Sequence, residues 1–254
     1  MRLPACVPAG MTERALQQLY EAPGTPLSSG IERAELQAAS LAALVAAAGR
    51  PLRGVDIGCG DGMATSVALA ACGARGRGSI GIVGFDWSMA ALAQAARRGI
   101  PVARASTEVP GLPLAPDSVD VVIMSEIIEH LVDTDAALGE AHRVLVAGGT
   151  LFVSTPNLAA WYNRALLAVG VQPLFTEVSL RGIYGRPGRE VVGHLRIFTR
   201  RALHGLLEAN GFIDITIAGA PYHDVPRPFK GLDRLLCRTP SLASILLASA
   251  RKPD

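Results

Sequence analysis

Val55-Asp56-Ile57-Gly58-Cys59-Gly60-Asp61-Gly62 is the stretch on which the fold turns. A short apolar run, residues 53–57, passes into glycines two apart, and residues 63–72 then read as a helix. A strand entering a helix through a glycine turn opens a βαβ crossover. Glycine there lets the backbone turn tightly and lets a ligand approach the peptide plane. The spacing is G-x-G-x-G, not the G-x-G-x-x-G of a dinucleotide fingerprint. Asp56 and Asp61 would repel a pyrophosphate at the helix N-terminus, whereas Asp56 can hold a cationic amino group, directly or through water. A ligand ending in an amino acid is favoured.

Outward from this turn the pattern alternates. Residues 31–48 form an Ala-rich helix ended by Gly49 and Pro51, and residues 12–21 a shorter one before the breaker APGTPLSSG. Downstream come a strand at 80–85, a helix at 88–98 stopped by Gly99, and a weak strand at 101–105. A turn-rich stretch precedes the most apolar strand, 119–124; residues 126–145 read as helix, and Gly148–Gly149 turn into a strand at 150–154. Thr199 caps a helix over 200–210, ended by Gly211, and strands at 212–218 and 244–250 close the chain. Such alternation predicts an α/β, Rossmann-like doubly wound sheet with helices on both faces. Ligands of such sheets sit outside the carboxyl ends of the strands. One domain, residues 31–254, follows an N-terminal segment, 1–30, and is interrupted by excursions at 157–193 and 226–241.

The composition agrees. The chain has 254 residues, 50% hydrophobic and 18% charged, enough for one sizeable core. Its net charge is +2, without a basic tract of the kind nucleic acid attracts. Cys6, Cys59, Cys72 and Cys237 are scattered, which argues against a disulfide framework and fits a reducing cytoplasm. The first residues lack a signal peptide's apolar stretch, Met11 can serve as an alternative start, and no apolar run reaches the roughly 18 residues of a membrane span.

Asp86 ends the second strand, 24 residues after Gly62. A carboxylate there can accept two hydrogen bonds from ribose hydroxyls, and Trp87 can lie against a purine. VDIGCGDG, GIVGFDWSMAALAQA, PLAPDSVDVVIMSEIIEHL and GGTLFVSTPN together resemble the class I S-adenosylmethionine-dependent methyltransferases over roughly residues 31–218. The resemblance implies that Asp56, Gly58, Cys59, Gly60 and Gly62 wrap the methionine part of S-adenosylmethionine, that Asp86 binds ribose, and that Ser106 and Thr107 meet adenine. The family often has an Asp near Ser106, which this chain lacks. It also implies seven strands, the last antiparallel.

Methyl transfer from a sulfonium needs an aligned acceptor and, for an oxygen acceptor, a lost proton. Glu126, Glu129 and His130 follow the fourth strand, and on a helix such spacing shares one face. Two carboxylates and an imidazole can bind a divalent cation or serve as acid and base. With His194 the set resembles ubiquinone-biosynthesis O-methyltransferases and small-RNA 2′-O-methyltransferases, which pair E-x-x-E-H with a later His. That implies a site for Mg, Mn or Zn at Glu126, Glu129, His130 and His194. Other members with E-x-x-E-H-L bind no metal, so the metal and acid–base roles both stay open. The favoured activity is methyl transfer to oxygen of a small-molecule acceptor; an RNA 2′-O-methyltransferase and a non-catalytic cofactor-binding module are the alternatives. The flat charge balance opposes nucleic acid.

The excursion at 157–193 opens on an amphipathic helix over 157–170 and has the length and glycine content of a lid, and Trp161, Tyr162, Phe175 and Tyr184 can line an apolar pocket. In the second, Phe229, Leu232, Leu235 and Leu236 fall near one helical face with Lys230, Arg234 and Arg238 elsewhere. Packing onto the sheet is expected, with peripheral contact to a membrane or partner as the alternative. His142, His204 and His223 are read as structural. Nothing in the pattern sets an oligomeric state.

Overall fold

The apolar run before the glycine turn is strand β1 (Leu52–Ile57), and it lies near the middle of one sheet. The computed structural model describes residues 30–74, 79–106, 111–188 and 191–254. The helix expected over 12–21 and the adenine contact expected of Thr107 lie outside these residues. The other strands are β2 (Ile80–Asp86), β3 (Val102–Arg104), β4 (Val119–Ser125), β5 (Leu145–Pro156), β6 (Ile213–Ala220) and β7 (Ile245–Arg251), in the order β3-β2-β1-β4-β5-β7-β6. Strands β3 to β5 in that order are parallel, and β7 runs antiparallel to both β5 and β6. The order reverses between β1 and β4, which opens a crevice at their carboxyl ends.

Helices α1 (Ile31–Ala48), α2 (Met63–Ala74), α3 (Met89–Arg97), α4 (Thr134–Val144), α5 (Trp161–Ala168), α6 (Arg200–Ala209) and α7 (Lys230–Leu236) make up the rest. Side chains of a strand alternate faces. In β4, Val121 and Ile123 pack with Ala38, Leu41, Val45, Ala68 and Cys72 of α1 and α2, while Val122 and Met124 pack with Leu138 and Ala141 of α4 and Leu203 and Leu207 of α6. β4 is therefore buried on both faces, which is why it reads as a continuous apolar run.

Three expected elements differ. Residues 126–145 are not one helix: Glu126 has a φ of 54°, Ile128–His130 is a 3₁₀ turn, and α4 starts only at Thr134, where the Asp133 carboxylate accepts the Ala136 N–H at 2.9 Å. Arg196 breaks the run by donating from its guanidinium to the carbonyls of Leu131 and Val132. β5 begins at Leu145, so the Gly148–Gly149 turn is a bulge inside a strand, visible as a register shift against β4 between Val119 and Val121. The helix in the first excursion is confined to α5; Asn157 occupies the preceding turn, accepting from Ala159 N–H at 2.9 Å.

Asp120 ties the two ends of the α1–β1 connection to β4. Its carboxylate accepts from the Arg50 guanidinium at 2.6 Å and the Arg53 N–H at 2.8 Å. Burial raises this carboxyl, but the Arg50 bond, the Arg53 N–H and both guanidinium charges hold it below the ordinary value. Asp120→Asn should cost about 1–2 kcal/mol at pH 7, read from urea unfolding. A carboxyl with a depressed folded pKa stabilises fully above its unfolded pKa, about 4, and that contribution is lost as pH falls through the folded pKa. The difference between variant and parent should close over that range.

Candidate active site

Gly58, Gly60 and Gly62 all adopt positive φ, at 71°, 55° and 77°. A Cβ on Gly62 would lie 2.5 Å from Ile100 Cδ1, and one on Gly58 2.7 Å from Ile127 Cγ1. The turn is fastened to the end of β2: the N–H groups of Gly58 and Cys59 donate to the Phe85 carbonyl at 2.8 and 3.0 Å. Asp86 continues this contact, accepting from Gly60 N–H at 2.9 Å and from Ser88 N–H at 2.8 Å. Burial raises its carboxyl above the usual value, against the pull of these N–H donors. The acid at the end of β2 and the glycine turn are thus one unit.

Cys59 is buried beside it, its thiol pushed up by burial and by Asp56 and Asp86. Trp87 and Ser106 are half-buried at the ends of β2 and β3, and the Trp87 carbonyl accepts from Arg104 Nε at 3.0 Å. Asp61 departs from expectation. It caps the start of α2 through Met63 N–H and pairs with Arg98 at 3.0 Å, so its charge is met within the protein. Only Asp56 keeps the role of opposing a pyrophosphate.

Asp56 faces a small cavity under α1, shared with Ala34, Gln37, Thr65, Ser125 and Phe152. One carboxylate oxygen accepts from Thr65 Oγ1 at 2.5 Å, and the other, Oδ1, has no hydrogen-bond partner. Burial pushes its pKa up to about 7, with Thr65 pulling it down. Across the cavity Gln37 accepts from Ser125 Oγ at 2.8 Å, while its Nε2 is likewise unpartnered. An unmet acceptor and an unmet donor in one buried space are costly unless a ligand satisfies them.

Arg33 reaches in from α1, 7% exposed, donating from Nη1 to Ser154 Oγ at 3.1 Å with Nε 3.9 Å from Glu126 Oε1. Glu126 thus meets Arg33 from α1, and its charge still bears on Glu129. Glu126, Glu129 and His130 do not share a helical face, because the 3₁₀ turn replaces the helix on which that spacing was read. Sequence reasoning passed over Arg33, Gln37 and Thr65. Gln37 and Arg33 lie one turn and two turns before Leu41 on the buried stripe of α1, and polar residues interrupting such a stripe are the signal that was available.

Glu129 is fully buried. Its Oε2 accepts from Thr155 Oγ1 at 2.9 Å, and its Oε1 lacks a hydrogen bond and lies 4.0 Å from His130 Nε2. Burial and the Glu126 charge raise its carboxyl well above the ordinary value. His130 Nδ1 lies 3.1 Å from the Gly193 carbonyl, and His194 Nδ1 lies 3.0 Å from the Phe175 carbonyl. A carbonyl only accepts, so each Nδ1 carries the proton and each Nε2 presents a lone pair. Burial lowers the two imidazoles to about 4 and about 3. Their rings stand 4.7 Å apart, and Glu129, His130 and His194 each bring a ligand atom within 4.8 Å of the others. His194 thus meets Glu129 and His130 across 64 residues of chain, without Glu126.

Glu177, unremarked in the sequence, delivers His194. Its carboxylate accepts from the N–H groups of Val192 and Gly193, each at 2.8 Å, and of His194 at 3.2 Å, and it pairs with Arg186 at 3.2 Å. Both partners of that ion pair are buried, at 2% and 7% side-chain exposure. Of the rings expected to line a pocket, Phe175 meets His194 and Tyr222 edge-on, at 5.7 and 5.0 Å. Trp161 and Tyr162 are half-buried against each other, and Trp161 donates to Asp233. Tyr184 is 60% exposed and lines nothing. His142 packs edge-on against Phe212, as a structural residue does.

A doubly wound seven-stranded sheet with an antiparallel β7, a glycine turn after β1 and an acid after β2 defines a Rossmann-like methyltransferase. The methyltransferase-domain family profile matches residues 31–217, and the chain belongs to the S-adenosylmethionine-dependent methyltransferases. It is similar to a Mycobacterium tuberculosis protein named as a probable S-adenosylmethionine-dependent methyltransferase, 30% identical over 66% of this chain and 62% of that relative. It is also similar to the ubiquinone biosynthesis O-methyltransferase of Brucella anthropi, 31% identical over 51% of this chain and 49% of that one. The chain thus spans about half to three-fifths of these relatives' length. Among solved structures it resembles a Mesorhizobium loti S-adenosylmethionine-dependent methyltransferase, with TM-score 0.53, 22% identity and coverage of 86% and 98%. It also resembles Haemonchus contortus phosphoethanolamine N-methyltransferase 2, with TM-score 0.58, 15% identity and coverage of 95% and 56%. These likenesses are of fold. Among the described residues no helix is long and apolar enough to cross a membrane.

Glu177→Gln keeps the shape but weakens a carboxylate that meets three successive N–H groups. Amide exchange at Val192, Gly193 and His194 should accelerate by about 10- to 100-fold, the equivalent of losing one charge-assisted bond, while β4 and β5 stay protected. Hydrogen-exchange NMR reads this directly. Unchanged exchange at all three would show that another contact holds the segment.

Proposed function

We propose that this methyltransferase acts on an oxygen of a small hydroxylated molecule, with the acceptor seated at Glu129, His130 and His194. The observation that carries the reading is the pair of neutral imidazoles, each with Nδ1 tied to a carbonyl, that bring a ligand atom within 4.8 Å of a carboxylate oxygen of the buried Glu129. An imidazole with a bare Nε2 can accept a hydrogen bond from a hydroxyl, and a carboxyl raised toward neutrality can take its proton. The O-methyltransferase name borne by the Brucella relative supports it.

S-adenosylmethionine supplies a methyl group already activated on a sulfonium. The chain's residues fit its charged and polar ends. Asp56 Oδ1 would take the amino group, and Gln37 Nε2 and Arg33 would meet the carboxylate. Asp86, its oxygens each holding one N–H, has lone pairs left for ribose hydroxyls. Trp87 and Ser106 border the adenine side.

A divalent cation, Mg, Mn or Zn, fits the same acceptor residues; Glu129, His130 and His194 would hold it, and it would lower the pKa of a bound hydroxyl. Each imidazole has its Nδ1–H tied to a carbonyl, the support that histidine ligands receive. Imidazoles held near 4 and 3 are weak bases at neutral pH, which favours a ligand role for them. Glu129, with its raised carboxyl, is the residue suited to take the proton where no cation is bound. The aromatic wall of Phe175 and Tyr222 keeps water from the reacting oxygen.

Two measurements test this. In calorimetry Asp86→Ala should weaken S-adenosylhomocysteine binding by about tenfold or more, the loss of two hydrogen bonds to a charged acceptor. Binding of a nicotinamide dinucleotide in place of S-adenosylhomocysteine would overturn the cofactor assignment. With methyl-labelled S-adenosylmethionine and a panel of phenols, catechols and hydroxy acids, label should move to oxygen. Excess chelator or His194→Ala should abolish transfer and leave S-adenosylhomocysteine binding intact. Undiminished transfer in chelator removes the cation and leaves Glu129 as base; label on nitrogen or carbon alone overturns the oxygen acceptor.

A further inference from the structure

Helix α7 is mounted inside out. Its one acid, Asp233, is 1% exposed and points into the protein, accepting from Trp161 Nε1 at 2.8 Å, Ser244 Oγ at 2.5 Å and Tyr222 N–H at 3.1 Å. Of the apolar residues expected to pack on the sheet, Leu236 is half-buried, whereas Leu232 is 42% exposed, Leu235 57%, and Phe229 48% with one side of its ring near Trp161. Leu232 and Leu235, three residues apart, share one flank of the helix, and Lys230 and Arg234, four apart, share another. A helix oriented by burial would have turned its leucines inward; three hydrogen bonds to one carboxylate prevent that rotation.

The charge on this segment is mostly basic, with Arg234 paired to Glu32 of α1 at 3.2 Å. Residues 225–242 hold four cations, Arg227, Lys230, Arg234 and Arg238, all exposed, and no acid but the buried Asp233. Exposed apolar side chains bracketed by basic ones match the boundary of an anionic bilayer, where rings and leucines enter the acyl region and cations meet phosphate headgroups. A protein partner would need acids on a matching contour; a lipid surface needs only negative headgroups.

We propose that the Phe229–Leu235 face of α7 docks on a membrane surface bearing anionic lipids. The face connects to the acceptor residues through packed rings. Tyr222, whose N–H is bound to Asp233, stacks edge-on with Phe175, and Phe175 does the same with His194. Docking by α7 would therefore hold the acceptor site beside the bilayer, the position needed for an acceptor that resides in or on lipid.

Vesicle flotation tests the surface without reference to methyl transfer. The purified full chain should float with phosphatidylcholine vesicles containing phosphatidylglycerol, and less with phosphatidylcholine alone or at high salt. Leu235→Glu should lower partition about tenfold or more, and Lys230→Glu by about fivefold or more, both with S-adenosylhomocysteine binding retained as the check on folding. No flotation with the anionic vesicles overturns the proposal, as does flotation that neither substitution changes. Self-association abolished by Leu235→Glu would also overturn it, making the face a contact between copies of this chain.

Discussion

The acceptor site proposed at Glu129, His130 and His194 hangs on one carbonyl. Glu129 O accepts the N–H of Leu195 at 2.8 Å and of Arg196 at 3.1 Å, joining the turn after β4 to a segment more than 60 residues away. Without this junction His130 and His194 would have no reason to meet. With it, Gly193 is placed to receive His130 Nδ1, and the Arg196 guanidinium is placed to take the carbonyls of Leu131 and Val132. Those are carbonyls that a continuous helix would have consumed. The break in the helix and the convergence of the histidines thus have the same cause.

Burial then acts on the charge of four groups in the crevice. Asp56 and Glu129 are pushed up, His130 and His194 down, so each moves toward its neutral form. Removing charged groups from water costs several kcal/mol unless partners compensate, and here the partners are partial: Thr65 for Asp56, Thr155 for Glu129, one carbonyl for each imidazole. The unmet lone pairs and the unmet Gln37 N–H are the part of the site left for ligands. Such groups interact strongly with a bound charge because little water screens them.

Buried polar side chains also decide which face of an element points inward. Asp233 orients α7 against its own hydrophobic pattern. Asn157 does similar work where β5 ends, donating to the Ala243 carbonyl at 2.7 Å and accepting from Ala159 N–H. Glu177 folds the first excursion onto the crevice by collecting three N–H groups that no strand or helix satisfies. In each case a short side chain supplies bonds that regular structure cannot, and an unmet buried N–H would be costly.

The sequence by itself determined the sheet and the glycine turn at its carboxyl end. Apolar runs at β1, β2 and β4, the G-x-G-x-G turn and Asp86 follow from local periodicity and turn chemistry, which depend on residues near one another in the chain. α1 and the caps of α3 and α6 are legible for the same reason, the last two through Ser88 and Thr199. Tertiary structure decided what depends on distant partners. Glu126 reads as part of a metal-ligating helix until a 3₁₀ turn replaces that helix and the Glu126 carboxylate comes to face Arg33, from another helix. Asp61 reads as a guard against phosphate until Arg98 pairs with it. The leucines of α7 read as core until Asp233 finds Trp161 and Ser244. Hydrophobic pattern states which face would gain by burial; only the fold states whether a carboxylate nearby has stronger bonds to make, and that competition is settled by partners remote in sequence.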